Sequence, residues 1–141
     1  MAKMPLSADS FIEVQKVLEK LINKPLFNRA GLSATISRKS IKEILSGEAV
    51  RKSFNLKAHL KAAINIEKLF TNSVEKWEFD LNPTKDNSSL EKRRYLFAPM
   101  EYKERIVPVK LTVKEFKDTK TEKRIYNIEA IDVDLNKKGN R

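Results

Sequence analysis

The spacing of the apolar residues changes partway along the chain, and this change constrains the fold more than any other feature of the sequence. Up to about Asn72, apolar residues recur every three to four positions, which is typical of helices that bury one face. After that point they alternate with polar residues, which is typical of half-buried strands. Because the helices all precede the strands, the sequence predicts an α+β domain rather than alternating helix and strand units.

The helical half divides at proline, glycine and capping residues. Pro25 ends the first amphipathic helix, because the residue before a proline is disfavoured in the helical conformation. Ser37 and Asn55 are suitable N-terminal caps. The predicted segments are a helix over Ser7–Asn23, a hairpin or extended pair over Leu26–Ser37, a short helix ended by Ser46-Gly47, and a longer helix from Asn55 to near Asn72.

The second half contains strand candidates and one loop. Trp77, Phe79 and Leu81 alternate with charged residues, and a loop follows over Asn82–Ser89. We expect residues 1–135 to form a single domain and residues 136–141 to form a mobile basic tail. The later strands, predicted to form an antiparallel meander, are Arg94–Met100, Ile106–Phe116 and Arg124–Val133.

The net charge limits the classes of partner. Lys and Arg number 29 against 19 Asp and Glu, which gives a net charge of +10. A polyanion is the natural partner of such a chain, and nucleic acid is favoured over an anionic membrane because the basic residues are spread over all segments. No segment is long and apolar enough to cross a bilayer. The absence of an export signal favours a cytoplasmic site of action, although a toxin that another system delivers into a target cell would also lack such a signal. The alternative is that the lysines only keep a small protein soluble.

The chain has no cysteine and a single histidine, His59. This excludes disulfides, thiol nucleophiles and cysteine zinc sites, and leaves only carboxylates as metal ligands. Asp132 and Asp134 share a strand face, but no convincing carboxylate cluster is evident, so we expect no metal and no cofactor. His59 is the first candidate for proton transfer, because it alone titrates near neutral pH unaided. Its apolar neighbours at helical spacing also suit a histidine satisfied at the edge of the core.

The clearest candidate site lies on the strand over residues 106–116. Lys110, Thr112 and Lys114 share one face of this strand, in a row about 14 Å long at roughly 3.4 Å per residue. Two ammonium groups with a hydroxyl between them suit a phosphodiester. An ordinary solvated sheet face is the alternative, since a turn near residue 119 would place Glu129 opposite Lys110 as a cross-strand ion pair.

Other segments offer basic residues for substrate binding. Arg93-Arg94-Tyr95 places guanidinium groups beside an aromatic ring, which suits phosphate contact with base stacking, although the same triplet also suits a charged strand end. The remaining candidates lie near helix starts, where capping is the alternative role: Arg38 and Lys39 after Ser37, and Lys52 and Ser53 before the helix that carries His59.

Several of these segments together resemble one family. They are Leu32–Ile41, Ala49–Ser53 with His59, Ile66–Asn72, Phe97–Pro99, Val109–Glu115 and Ile125–Glu129. The chain resembles the large polyvalent-protein-associated domains of phages and conjugative elements, which are grouped with barnase–EndoU–colicin–RelE-like nucleases. The resemblance covers about Lys24 to Val133. It implies N-terminal helices packed on one face of a curved antiparallel sheet, as in barnase and RelE, with substrate bound on the opposite face.

The resemblance also implies an activity, that of a metal-independent endoribonuclease acting as a toxin or mobile-element effector. Such an enzyme uses the 2′-OH of RNA as the nucleophile and leaves a 2′,3′-cyclic phosphate. The expected partners are RNA and an immunity or antitoxin protein. The hypothesis assigns proton transfer to His59 or Glu129, phosphate binding to Lys110, Lys114 and Arg94, and a donated hydrogen bond to Thr112 or Ser53.

The chain departs from its relatives at one position. Where they often have a histidine ahead of the aromatic strand, this chain has Arg93-Arg94. Either His59 acts alone, or the activity is altered or lost. The alternative function is a non-catalytic module of a phage or mobile-element protein, which uses the same basic face to bind nucleic acid or a protein.

Overall fold

A computed structural model describes residues 11–53, 55–76, 92–117, 120 and 124–133, with the side chain of Lys52 excepted. The predicted strand at Trp77–Leu81, the predicted loop at Asn82–Ser89 and the predicted tail at residues 136–141 lie outside the described residues. The described elements, in chain order, are α1 (Phe11–Glu19), β1 (Leu26–Phe27), β2 (Ser33–Ala34), α2 (Arg38–Ile44), α3 (Gly47–Lys52), α4 (Leu56–Ile64), α5 (Ile66–Asn72), β3 (Val74–Glu75), β4 (Lys92–Tyr102), β5 (Arg105–Lys117) and β6 (Arg124–Val133).

Two helices begin at the predicted caps. The Ser37 hydroxyl accepts the Ser40 N–H at 3.1 Å, and the Ser40 hydroxyl accepts the Ser37 N–H at 3.1 Å, which is a capping box. Asn55 Oδ1 accepts the Ala58 N–H at 3.0 Å at the start of α4. These bonds satisfy backbone donors that have no partner within their own helix.

Three details of the helical half differ from the prediction. The first helix, predicted to reach Asn23, ends at Glu19. Ser46-Gly47, predicted only to end the short helix, also starts α3, because the Ser46 hydroxyl accepts the Ala49 N–H at 3.1 Å and caps a new helix. The predicted longer helix is two helices that meet at Asn65, whose Nδ2 donates to the Lys61 carbonyl at 2.8 Å. A side-chain amide that bonds to the backbone in this way competes with continuation of the helix.

The larger sheet has the strand order β3-β4-β5-β6, and each neighbouring pair is antiparallel. A two-residue turn at Lys103-Glu104 joins β4 to β5, and both residues have positive φ, 50° and 64°, as a type I′ hairpin requires. β5 and β6 pair from Lys117, which lies opposite Arg124. The predicted antiparallel meander is confirmed. The predicted pair before α2 is also confirmed, because β1 and β2 pair as antiparallel strands.

The helices cover one face of the larger sheet, and the hydrophobic core lies between them. The fully buried helix side chains include Leu18, Ile44, Leu60 and Phe70. The sheet contributes Leu96, Ala98 and Met100 from β4, Val107, Val109, Leu111 and Val113 from β5, and Ile128, Ile131 and Val133 from β6. The predicted α+β class, with N-terminal helices on one face of an antiparallel sheet, is confirmed. Within the described ranges, no helix has the length and apolar character needed to cross a membrane.

Candidate nucleic-acid interface

Strand alternation gives the larger sheet a second face, opposite to the helices, which we call the open face. On β5 every second side chain from Val107 to Val113 is buried against the helices, and the side chains between them are only half-buried. Lys110, Thr112 and Lys114 therefore share the open face, as the alternation predicts. Side chains on this face include those of Lys76 after β3, Arg93, Tyr95 and Phe97 of β4, Lys110, Thr112, Lys114 and Phe116 of β5, and Glu129 and Asp132 of β6.

Lysines and aromatic rings pair on this face. The Lys110 ammonium lies 4.7 Å from the centroid of the Tyr95 ring. The Lys76 ammonium lies 5.7 Å from the centroid of the Phe97 ring. In a third pair, the Lys114 ammonium lies 5.9 Å from the centroid of the Phe116 ring on the same strand. Sequence reasoning found Tyr95 and the lysine row but not the pairing of Lys110 with Tyr95, which depends on the register between β4 and β5.

An ion pair crosses the open face near the end of the sheet at which β4 begins. Arg93 Nε donates to Glu129 Oε2 at 2.8 Å, and the two side chains are 38% and 27% exposed. Arg93 lies on β4 and Glu129 on β6, and β5 lies between those strands. The guanidinium and the carboxylate therefore meet above β5, beside Lys114, which is opposite Arg93 in register.

Glu129 does not lie opposite Lys110, as the alternative interpretation of the lysine row expected. Asp132 takes that position. The hairpin between β5 and β6 closes farther along the chain than a turn near residue 119 implies, since Lys117 pairs with Arg124. The register then shifts between Thr112 and Val113, so that β6 has one extra residue, Glu129, at a bulge.

The two consecutive arginines of β4 point to opposite faces of the sheet, because successive strand residues alternate. Arg94 lies on the helix side, where Nη2 and Nε bond to the Glu75 carboxylate at 2.8 and 2.9 Å. Its guanidinium also lies 3.6 Å from Glu115 Oε1 and 5.6 Å from the Tyr126 ring centroid. The hydrogen bonds with Glu75 raise the pKa of Arg94 above its ordinary value. The structure thus does not bring Arg94 together with Lys110 and Lys114.

Sequence reasoning missed both acidic partners of Arg94, Glu75 and Glu115, which form a charged cluster with Arg94 and Arg124. Glu115 is only 7% exposed, and its Oε2 accepts a hydrogen bond from Arg124 Nη1 at 2.6 Å. It occupies the next core-facing position after Val113, where alternation places an apolar residue. A carboxylate at such a position signals a charge partner, because glutamate is almost never buried unless paired. The cluster lines a cleft of about 550 Å³ together with Lys92, Lys76 and Tyr95.

His59 lies on the helix side, inside the core, and has no exposed surface. Its Nε2 is 2.7 Å from the Ile44 carbonyl oxygen, which can only accept, so Nε2 carries the proton. Its Nδ1 accepts the Ser53 hydroxyl at 2.7 Å, and that hydroxyl accepts the Val133 N–H at 3.0 Å.

Burial lowers the pKa of His59, while the bond to Ile44 and the negative charge of Asp132 act in the opposite direction. The imidazole is therefore neutral at pH 7, with both ring nitrogens engaged. The structure does not bring His59 or Ser53 together with the lysine row, and the geometry favours the alternative of a histidine satisfied within the core.

The remaining predicted residues lie away from the lysine row or outside the described part. Arg38 and Lys39 are exposed at the start of α2, which packs against β6 partly through a 2.6 Å hydrogen bond from the Ser40 hydroxyl to Asn127 Oδ1. Lys52 ends α3, and its side chain is outside the described part of the chain, as is Asp134. In the described ranges, no three histidine, aspartate or glutamate side chains are grouped so that they could hold a metal ion.

A family model, large polyvalent protein-associated domain 3, matches residues 12–126. The chain belongs to this family, which confirms the resemblance drawn from the sequence and associates the chain with phages and mobile elements. The match also includes almost all of α1, which the resemblance left out. The placement among barnase–EndoU–colicin–RelE-like nucleases stays a prediction. No curated protein and no solved structure matches the chain.

Proposed function

We propose that this member of the large polyvalent protein-associated domain 3 family binds RNA on the open face of its larger sheet. One observation carries the proposal, namely that three lysine ammonium groups and three aromatic rings lie together on that face. Ammonium groups contact phosphates, and aromatic rings stack on bases. The net charge of +10 adds a long-range attraction for a polyanion.

The choice of RNA rests on what an aromatic sheet face can contact. Rings on a sheet stack on bases that are not paired in a duplex, and sequence-specific recognition of RNA is mostly recognition of such unpaired bases. The same chemistry admits single-stranded DNA, so DNA of the same sequence belongs in the test as a competitor.

Fluorescence anisotropy with a labelled 12-nucleotide RNA tests this proposal. The double variant Lys110→Gln/Lys114→Gln removes two ammonium groups from the open face. We expect about tenfold weaker binding, since each ammonium–phosphate contact at about 4 Å is worth roughly 1 kcal/mol in water before screening by salt.

The matched control is Lys42→Gln/Lys57→Gln, which removes the same charge from exposed positions on α2 and α4. We expect much weaker effects from this control. Equal losses in the two double variants would mean that binding follows net charge alone, and no binding by folded wild-type protein would refute the proposal.

Cleavage of the bound RNA is a second candidate function. The observation that favours it is the carboxylate of Glu129, which lies on the open face beside Lys114 and bonds to Arg93. In this reaction Glu129 takes the proton of the 2′-OH, the 2′-oxygen bonds to phosphorus, and the 5′-oxygen leaves and takes up a proton from water. Lys110 and Lys114 stabilise the charge that develops on the phosphate oxygens.

Incubation of RNA with the protein in EDTA tests this candidate. Glu129→Gln is expected to abolish cleavage and to preserve binding, whereas Ser53→Ala, which alters the environment of buried His59, is expected to preserve cleavage in protein that remains folded. A wild-type protein that binds RNA and leaves it intact would support the non-catalytic module.

A further inference from the structure

The open face has two aromatic rings on one strand, and their spacing restricts the ligand. Tyr95 and Phe97 lie two residues apart on β4, which separates them by about 7 Å at roughly 3.4 Å per residue. Consecutive bases in a duplex are only about 3.4 Å apart along the axis. Neighbouring bases can reach both rings only if the strand is extended and its bases are unstacked. Duplex RNA also keeps its bases paired inside, away from a flat protein face.

The ring of Tyr95 is already covered. The Lys110 ammonium lies 4.7 Å from its centroid, close to the optimal range for a cation and a ring. Lys110 is opposite Phe97 in register, and Tyr95 is opposite Thr112, so the ammonium reaches the ring diagonally across the strands. A base that stacks on this side of Tyr95 has to take the place of the ammonium group.

We propose that the open face takes an unpaired strand, in which one base replaces the Lys110 ammonium on the ring of Tyr95 and the displaced ammonium binds a neighbouring phosphate. This proposal rests on the proposed RNA-binding function and specifies its ligand. The exchange gives up the contact between the Lys110 ammonium and the Tyr95 ring, and it gains a base stack together with a charge-assisted contact to phosphate. Lys76 and Phe97 offer the same exchange at a second position, where the ammonium lies 5.7 Å from the ring centroid.

The test compares two probes, a labelled 12-nucleotide RNA without self-complementarity and the same RNA annealed to its complement. We expect the wild-type protein to bind the single strand at least about tenfold more tightly than the duplex. Tyr95→Leu should weaken single-strand binding about tenfold and leave duplex binding unchanged, because it removes the stacking surface without changing the charge of the face. Tyr95→Phe keeps the ring and should bind like the wild type.

The salt dependence of binding distinguishes the contribution of the Tyr95 ring from that of the Lys110 ammonium. Lys110→Gln should reduce the slope of log affinity against log salt for the single strand by about one phosphate contact, and Tyr95→Leu should leave that slope unchanged. Circular dichroism and urea unfolding establish that each variant is folded. If Tyr95→Leu does not fold, Phe97→Leu takes its place in the same comparison.

The two proposals fail in different ways. Failure of folded wild-type protein to bind either probe would refute RNA binding itself. Equal binding of duplex and single strand, or single-strand binding that is insensitive to loss of the ring, would overturn the exchange at Tyr95 and leave RNA binding standing.

Discussion

Ser53→Ala is the substitution for which the structure gives the clearest energetic expectation. The Ser53 hydroxyl donates to His59 Nδ1 at 2.7 Å and accepts the Val133 N–H at 3.0 Å. All three residues are buried. Alanine removes the hydroxyl without introducing a clash, so a buried ring nitrogen and a buried backbone N–H each lose their partner.

The magnitude follows from those two groups. A buried polar group without a partner costs about 1–3 kcal/mol, so two of them lower the free energy of unfolding by roughly 2–6 kcal/mol, with about 4 kcal/mol as the central value. For a chain of this size, a loss of about 4 kcal/mol corresponds to a fall in Tm of about 13 °C. Urea unfolding followed by far-UV circular dichroism measures the free energy directly.

Ser46→Ala is the matched control. Its hydroxyl accepts one backbone N–H, that of Ala49, as the cap of α3, and the expected loss is about 1 kcal/mol. A loss for Ser53→Ala that is no larger than the loss for Ser46→Ala would refute the reasoning that this hydroxyl satisfies His59 and Val133.

Three further predictions concern pH, the buried carboxylate and salt. Because burial lowers the pKa of His59, the unfolded chain binds the proton more readily; the full stability is present above the ordinary value of 6.5 and falls as the pH is lowered below it. Urea midpoints at pH 7.5 and 5.5 should differ more for the wild type than for His59→Gln. Equal differences in the two proteins would contradict burial of His59 as the cause of the pH dependence. Glu115→Gln should lower the free energy of unfolding by about 2 kcal/mol and Glu75→Gln by less than about 1 kcal/mol, because Glu115 is buried and Glu75 is partly exposed. Urea unfolding that shows the larger loss for Glu75→Gln would contradict this difference in burial as the cause. The RNA affinity, measured by anisotropy, should fall as salt is added, with a slope of about −2 in a plot of log affinity against log salt concentration. Each of the three open-face lysines contributes about −0.7 to this slope when it contacts a phosphate of a single strand. A slope near zero would contradict phosphate contact.

Local sequence patterns predicted the elements that position the candidate site. The bounds of β6, Arg124–Val133, agree with the prediction because its apolar residues and its flanking polar residues are both clear. The alternation along β5 placed Lys110, Thr112 and Lys114 on one face, since side chains alternate in any strand that has a buried face. The same rule separates Arg93 from Arg94, although the sequence motif suggested that they act together.

What could not be predicted depends on contacts between distant segments. His59 bonds to Ile44 and Ser53, and Ser53 in turn bonds to Val133. Val133 lies far along the chain from the other three residues, and no local pattern brings the four together. The position of Glu129 depends on the length of a hairpin loop and on a bulge in β6, and each residue of error in the register moves a side chain to the other face.

The location of RNA on the protein tests the central claim most directly. In a titration followed by ¹H–¹⁵N NMR, the account predicts that the amide signals of Lys110, Thr112 and Lys114 shift as single-stranded RNA is added. The signals of Leu60 and Ala62, which are buried in α4 on the helix side, should stay in place. Shifts confined to the helices, with the β5 signals unchanged, would contradict the account.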